Sequence, residues 1–158
     1  MSITIVIDRS NEIARLTFSG SMDEYAEAEF TKIANGLPSK LIFDFSGIVA
    51  LNSSGVNAWI TFYKEIYKSR SIVFENCTPE VIMHINMMPI FRGPAEINSV
   101  YANYECLACM HKQRQLFVRG QNLPASSAEL LPPVNCQACG QVSEMDQEPA
   151  DFFAWINS

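Results

Sequence analysis

The 158-residue chain is long enough for one packed α/β core with a small appendage, and too short for two full domains. With 48% hydrophobic residues, 18% charged residues and seven glycines, the composition is that of a folding chain and not of a disordered one. The formal net charge of −6 is shared by both halves, with eight basic and eleven acidic side chains in residues 1–97 and three and six in residues 98–158, so there is no basic arm and nucleic-acid binding is disfavoured.

Residues 3–8 (ITIVID) and 13–18 (IARLTF) are β-branched-rich runs separated by polar residues 9–12, the pattern of an antiparallel hairpin. Gly20, Ser21, Met22 and Asp23 then break the strand pattern. Asp23 is placed to cap a first helix over about residues 24–35, with Tyr25, Ala28, Phe30 and Ile33 on its inner side and Gly36 and Pro38 ending it. Residues 41–45 (LIFDF) are almost continuously apolar, as in a central strand buried on both faces. After a short loop, Ser53 or Ser54 is placed to cap a second helix whose Val56, Trp59, Ile60, Tyr63 and Tyr67 form a core-facing stripe. Residues 71–74 (SIVF) predict another buried strand. Residues 81–88 predict a short apolar helix preceded by Pro79, and residues 97–101 a last short strand. The order β, β, α, β, α, β, α, β predicts a mixed sheet of four to five strands, its later strands parallel through right-handed crossovers.

From residue 104 onward apolar residues are too few for a core of their own, and two C-x-x-C pairs take their place. Cys106 and Cys109, with Cys136 and Cys139, supply four thiolates from two tight knuckles. That is a closed tetrahedral shell for a structural Zn2+, and Gly140 frees the backbone just after the last ligand. With strand character at residues 115–118 (QLFV), the segment is similar to a zinc ribbon. A redox C-x-x-C opens a helix in a βαβ unit and a catalytic zinc keeps an open position, and neither condition is met here. His111, two residues past Cys109, is taken as a surface residue, His84 as partly buried in its helix, and Cys77 as a core residue. Four cysteines in metal-type pairs suit a reducing compartment. The opening residues lack a basic segment running into an apolar one, and no apolar run reaches the eighteen or so residues that span a bilayer, so a soluble cytoplasmic protein is expected. The last segment, with Phe152, Phe153 and Trp155, is expected as a short helix over residues 151–156 carrying a large apolar payload.

Taken alone, a serine at a helix start is an N-cap worth about 1 kcal/mol. The longer segment of residues 41–56, however, ends a buried strand in Asp44-Phe45-Ser46 and opens a helix with Asn52-Ser53-Ser54-Gly55. This resembles the STAS family of sulfate transporters and bacterial anti-sigma factor antagonists, whose pattern is a strand ending Asp-x-Ser followed by Asp-Ser-Ser-Gly or Asp-Ser-Thr-Gly at a helix start. The element order over about residues 1–101 agrees. The resemblance implies a STAS-like α/β domain over residues 1–103; the cysteine pairs and the apolar terminus add the ribbon-like segment 104–145 and a C-terminal helix in 146–158 expected to pack on the domain. It further implies a partner-facing surface of Asp23, Asn52, Ser53, Ser54 and Gly55. The serine after the motif's aspartate, here Ser53, is phosphorylated in anti-sigma antagonists by a kinase that is also the anti-sigma factor. The chain departs from the pattern in having Asn52 for that aspartate, which keeps the capping geometry and loses the charge.

The sequence therefore predicts a non-enzymatic, regulatory protein-binding module that resembles a bacterial anti-sigma factor antagonist, acting in signalling and transcription regulation and open to self-association as a homodimer. Its expected partner is an anti-sigma factor of the serine-kinase type. The alternative is a non-phosphorylated scaffold that binds through the zinc ribbon and the aromatic terminal helix. An enzyme ranks last, because the sequence pairs no nucleophile with a general base.

Overall fold

A computed structural model describes residues 2–157. Five strands form the first sheet in the order β1-β2-β3-β4-β5: β1 Thr4–Ser10, β2 Ile13–Met22, β3 Lys40–Leu51, β4 Ser71–Glu75 and β5 Glu96–Ile97. β1 and β2 are an antiparallel hairpin, and every later pairing in this sheet is parallel. The crossovers are α1 Ala26–Ile33, α2 Ser53–Tyr67 and α3 Pro79–Met87. This is the mixed α/β sheet that the alternating pattern predicts.

Alternation along the strands decides where the core lies. Leu16, Phe18, Leu41, Phe43, Phe45, Ile72 and Phe74 are buried on one face, against Phe30 of α1 and Trp59, Phe62 and Tyr63 of α2. Their rings pack edge-on or stacked; Trp59 alone has its centroid 5.0 Å from Tyr63 and 5.5 Å from Phe43 and Phe45. The aromatic stripe of α2 is thus core, with Phe62 and Ile66 added to it and Ile60 and Tyr67 only half-buried. Cys77 is fully buried as well.

Several boundaries differ from the expectation. The strands at 41–45 and 71–74 are not buried on both faces: Ile42 and Val73, on the side away from the helices, are only partly covered. That side carries polar residues instead. Arg15 donates to Asp44 Oδ2 and to Glu75 Oε1, each at 2.7 Å, and Asn76 donates to the same Asp44 oxygen at 3.1 Å. β2 and β3 also run on, through residues 19–22 and 46–51, where a break and a loop are expected. The two extensions pair with each other in parallel across two register shifts. α1 begins at Ala26, and its buried face is Ala26 and Phe30, whereas Tyr25 is 63% exposed.

The second sheet, in the order β7-β6-β9-β8, is wholly antiparallel: β6 Ser99–Cys106, β7 Lys112–Val118, β8 Val134–Asn135 and β9 Val142–Met145. β6 begins two residues after β5 and runs unbroken across the expected boundary at 103/104, so the expected last strand over 97–101 is divided between two sheets. The terminal segment is one α-helical turn, α4 Pro149–Phe152, followed by a 3-10 turn Ala154–Asn157. It lies against α3. Asn86 donates to the carbonyls of Asp151 and Phe152, Arg92 donates to the carbonyl of Trp155, and Phe153 meets Phe117 of β7 at 5.3 Å.

Burial pushes the Asp44 carboxyl up, but the Ser46 amide and hydroxyl, Arg15 and Asn76 together outweigh it and hold the group below its ordinary 3.8. A carboxyl depressed in the folded state adds stability above its unfolded pKa and loses it as the pH falls through the folded value. Arg15→Met is therefore expected to cost about 1–2 kcal/mol near neutral pH, an amount tempered by the partial exposure of Arg15. In urea melts the gap from the parent should close as the pH falls below 3.8.

Candidate functional site

The first turn of α2 is fixed by backbone contacts to the end of β2. The Asn52 amide donates to the Met22 carbonyl at 3.0 Å. A Cβ on Gly55 would lie 1.9 Å from that same carbonyl oxygen and 2.6 Å from the Asp23 amide nitrogen, so only glycine lets the helix start come this close. The residue that caps α2 is Asn52, whose Oδ1 accepts from the Gly55 amide at 2.9 Å. The sequence expectation that Ser53 or Ser54 is the cap is therefore corrected. Ser53 and Ser54 occupy the first two helical positions, with exposed side chains.

Asp23 does not cap α1 directly; it closes the turn before the helix, its Oδ1 accepting from the Tyr25 amide at 3.0 Å. The next residue, Glu24, accepts from Asn52 Nδ2 at 3.2 Å. Asp23, Asn52, Ser53, Ser54 and Gly55 thus belong to one continuous ledge, and Glu24 is the member that the sequence reading missed. Its spacing from Asn52 gives no clue, because 28 residues separate them. The contact gives Asn52 a physical reason: an aspartate there would place a second carboxylate against Glu24.

From the Ser54 end of the ledge a groove of about 640 Å³ runs between α1 and α2, floored by Phe30, Phe62 and Ile66 and rimmed by Glu27, Glu65 and Arg70.

At another part of the molecule the four cysteines predicted as ligands meet. Their Sγ atoms all lie within 4.8 Å of one another, with Cys106 to Cys139 at 3.5 Å and Cys109 to Cys136 at 3.7 Å. Metal–sulfur bonds of about 2.3 Å in a tetrahedron put neighbouring sulfurs about 3.8 Å apart. This donor set therefore fits a metal ion.

Each knuckle is the turn of one hairpin, and the two are built alike. The Cys106 amide donates to the His111 carbonyl at 2.9 Å and the Met110 amide to the Cys106 carbonyl at 3.0 Å. Cys136 with Gln141 and Gly140 with Cys136 repeat these bonds at 2.7 and 2.9 Å. Amides of Ala108 and Cys109 point at Cys106 Sγ, and that of Ala138 at Cys136 Sγ. Donation from the Cys109 amide, more than offsetting desolvation, draws the Cys106 thiol down to about 7. Left-handed backbone follows the second cysteine in both knuckles, at Met110 (φ 66°) and at Gly140 (φ 79°). His111 is exposed and contributes its carbonyl, while the His84 ring is half-buried with Nδ1 2.9 Å from the Glu80 carbonyl.

The STAS domain family matches residues 4–104, well over half of the sequence, and the chain belongs to that family. The match ends two residues before Cys106, so the cysteine cluster lies outside it. Among solved structures, the fold is similar to an anti-sigma factor antagonist from Mycobacterium paratuberculosis, 18% identical, with a TM-score of 0.50 over 60% of this chain and 85% of that one. It is also similar to the anti-sigma factor antagonist SpoIIAA in its unphosphorylated form, 18% identical, with a TM-score of 0.47 over 60% and 87%. No curated protein matches the sequence. Among the described residues no helix is long and apolar enough to cross a membrane.

The Asn52–Glu24 contact can be read by a double-mutant cycle. Asn52→Asp keeps a good cap and sets two carboxylates together, so Glu24→Gln should stabilise the Asn52→Asp chain by about 0.5–1 kcal/mol more than it stabilises the parent. Additive effects in denaturant titrations at low salt would show that the two side chains do not interact.

Proposed function

We propose that this chain is a non-enzymatic regulatory binding module of the anti-sigma factor antagonist type. Its partner is a kinase-type anti-sigma factor, it engages that partner through Asp23, Asn52, Ser53 and Ser54, with the buried Gly55 holding them in place, and phosphorylation of Ser53 switches it. One observation carries the reading: the Ser53 hydroxyl is exposed at the first position of a helix whose start is clamped to the Asp23–Glu24 turn. A phosphate there gains from the helix dipole, so modification leaves the fold intact. It also adds a charge of about −1.5 to −2 beside Asp23 and Glu24, making an already acidic surface strongly so and removing the bare hydroxyl as a partner contact.

The four cysteines, in this reading, hold one structural Zn2+. Bound zinc supplies no reaction; Cys106 and Cys109 join one hairpin to the hairpin of Cys136 and Cys139, in a sheet with little apolar core of its own. Residues 1–103 then form the switch domain and residues 104–158 a clamped extension. The scaffold reading keeps some support from the knuckle tips, where Leu107 and Met110 are each 66% exposed. It draws none from Phe152, Phe153 and Trp155, which are 1–3% exposed and part of the core.

Incubation with a cognate serine-kinase anti-sigma factor and ATP should phosphorylate the chain, and Ser53→Ala should abolish the transfer. Transfer that survives this change would remove Ser53 from the account, and stable binding with no transfer would favour the scaffold. For the metal, native mass spectrometry should find one zinc per chain, and Cys136→Ser should lower its affinity by orders of magnitude. A chain that carries no metal and holds a disulfide within either pair would overturn that part.

A further inference from the structure

The two sheets have four outer edges, and three of them are blunted. β5 and β8 are two residues long. β7 carries exposed Lys112 and Arg114, the kind of charge that keeps edges from pairing. β1 is the least protected: it is long, and its charges, Asp8 and Arg9, lie toward one end. It is seven residues long, contains no lysine or proline, and pairs with β2 without a bulge from Thr4–Ser19 to Ser10–Ile13. Arg9, its one cation, is turned away to the Gly36 carbonyl at 2.6 Å. Among the described residues no loop or side chain bonds to its outer edge. The strand is apolar at its centre too: Val6 is 61% exposed on the open face of the sheet, and Ile5 and Ile7 on the helix side are only partly covered.

We propose that β1 is a self-association edge, pairing antiparallel with β1 of a second copy about a two-fold axis through Val6. Strand geometry restricts the choice. A two-fold perpendicular to the sheet keeps faces together, so it must pass through a residue pair and not between two residues. With the axis at Val6, Val6 faces the partner's Val6, Ile5 faces the partner's Ile7, and Thr4 faces the partner's Asp8. All three aliphatic residues then meet aliphatic residues. With the axis moved to Ile7, Val6 would face an aspartate and Ile5 an arginine, which is the poorer match. In the favoured register no like charges stand opposite, and the two five-stranded sheets become one sheet of ten. An edge of this length buries less than a standard interface, so the affinity expected is micromolar. The proposal stands apart from the Ser53 reading, since β1 contributes nothing to the ledge at residues 52–55.

The two-fold itself supplies the test, because any charge at position 6 is placed opposite its own copy. Sedimentation velocity of the zinc-loaded full chain from about 1 to about 200 µM should show the parent moving from the 17.7 kDa monomer toward twice that mass. Val6→Lys and Val6→Glu should each stay monomeric over the whole range, with thermal melts close to the parent's because the side chain is exposed. An equimolar mixture of the two should recover the doubled mass, as lysine then faces glutamate. The proposal is overturned if the parent stays monomeric at the highest concentration. It is equally overturned if either single variant dimerises as the parent does, or if the mixture stays monomeric.

Discussion

The hydrogen bond from the Asn52 amide to the Met22 carbonyl, with Gly55 pressed on the same peptide, is the constraint from which the candidate surface follows. It joins the start of α2 to the end of β2, two elements 30 residues apart in sequence. Once this seam is closed, the turn at Asp23 and Glu24 has one place to go, beside the cap of α2. The exposed serines are then presented on a rigid ledge and not on a loop. A side chain larger than hydrogen at position 55 would pry the two apart, which gives the family's glycine a steric reason in this chain. Asn52 is tied to the same seam, since its oxygen caps the helix while its nitrogen holds Glu24.

A second junction links the two sheets. Asp44 sits where β2, β3 and β4 meet on the open face and gathers Arg15, Asn76 and the Ser46 amide. Asn76 in turn exchanges hydrogen bonds with Ser99, the first residue of β6, so the carboxylate network reaches from the first sheet to the root of the second. From there β6 carries Val100, Ala102 and Tyr104 toward the aromatic residues of the terminal segment, and ends in the first metal-type cysteine. The extension is therefore anchored by polar bonds at its base, by Phe117, Phe152, Phe153 and Trp155 along its length, and by the four sulfurs at its tip.

Much of this was legible from one sequence, for identifiable reasons. β-branched and apolar runs located the first four strands, and helix-start residues followed by apolar stripes or runs located the crossover helices, because each of these elements buries at least one face. The cysteine cluster was legible because two C-x-x-C pairs state their own geometry. What escaped were features set by contacts distant in sequence. β2 and β3 extend beyond the runs read as strands because they pair with each other, a contact that Gly20 and Gly47 in the extensions do not announce. The run LIFDF suggested burial on both faces, yet its aspartate marks the polar face where Arg15 waits. Glu24 joined the site through a partner 28 residues away. Met110 occupies a left-handed position that sequence reading assigns to glycine, and only the repeat of its hydrogen bond at Gly140 reveals the shared knuckle design.

Under the proposed function, partners are recognised at the α2 ledge while the metal-type extension supports the fold. Hydrogen exchange on the chain, free and bound to the proposed kinase-type partner, addresses this directly. Protection should rise at residues 20–24 and 52–57 and stay unchanged at the knuckle tips, residues 106–111 and 136–141. A footprint confined to the knuckles, with the ledge exchanging as in the free chain, would contradict it.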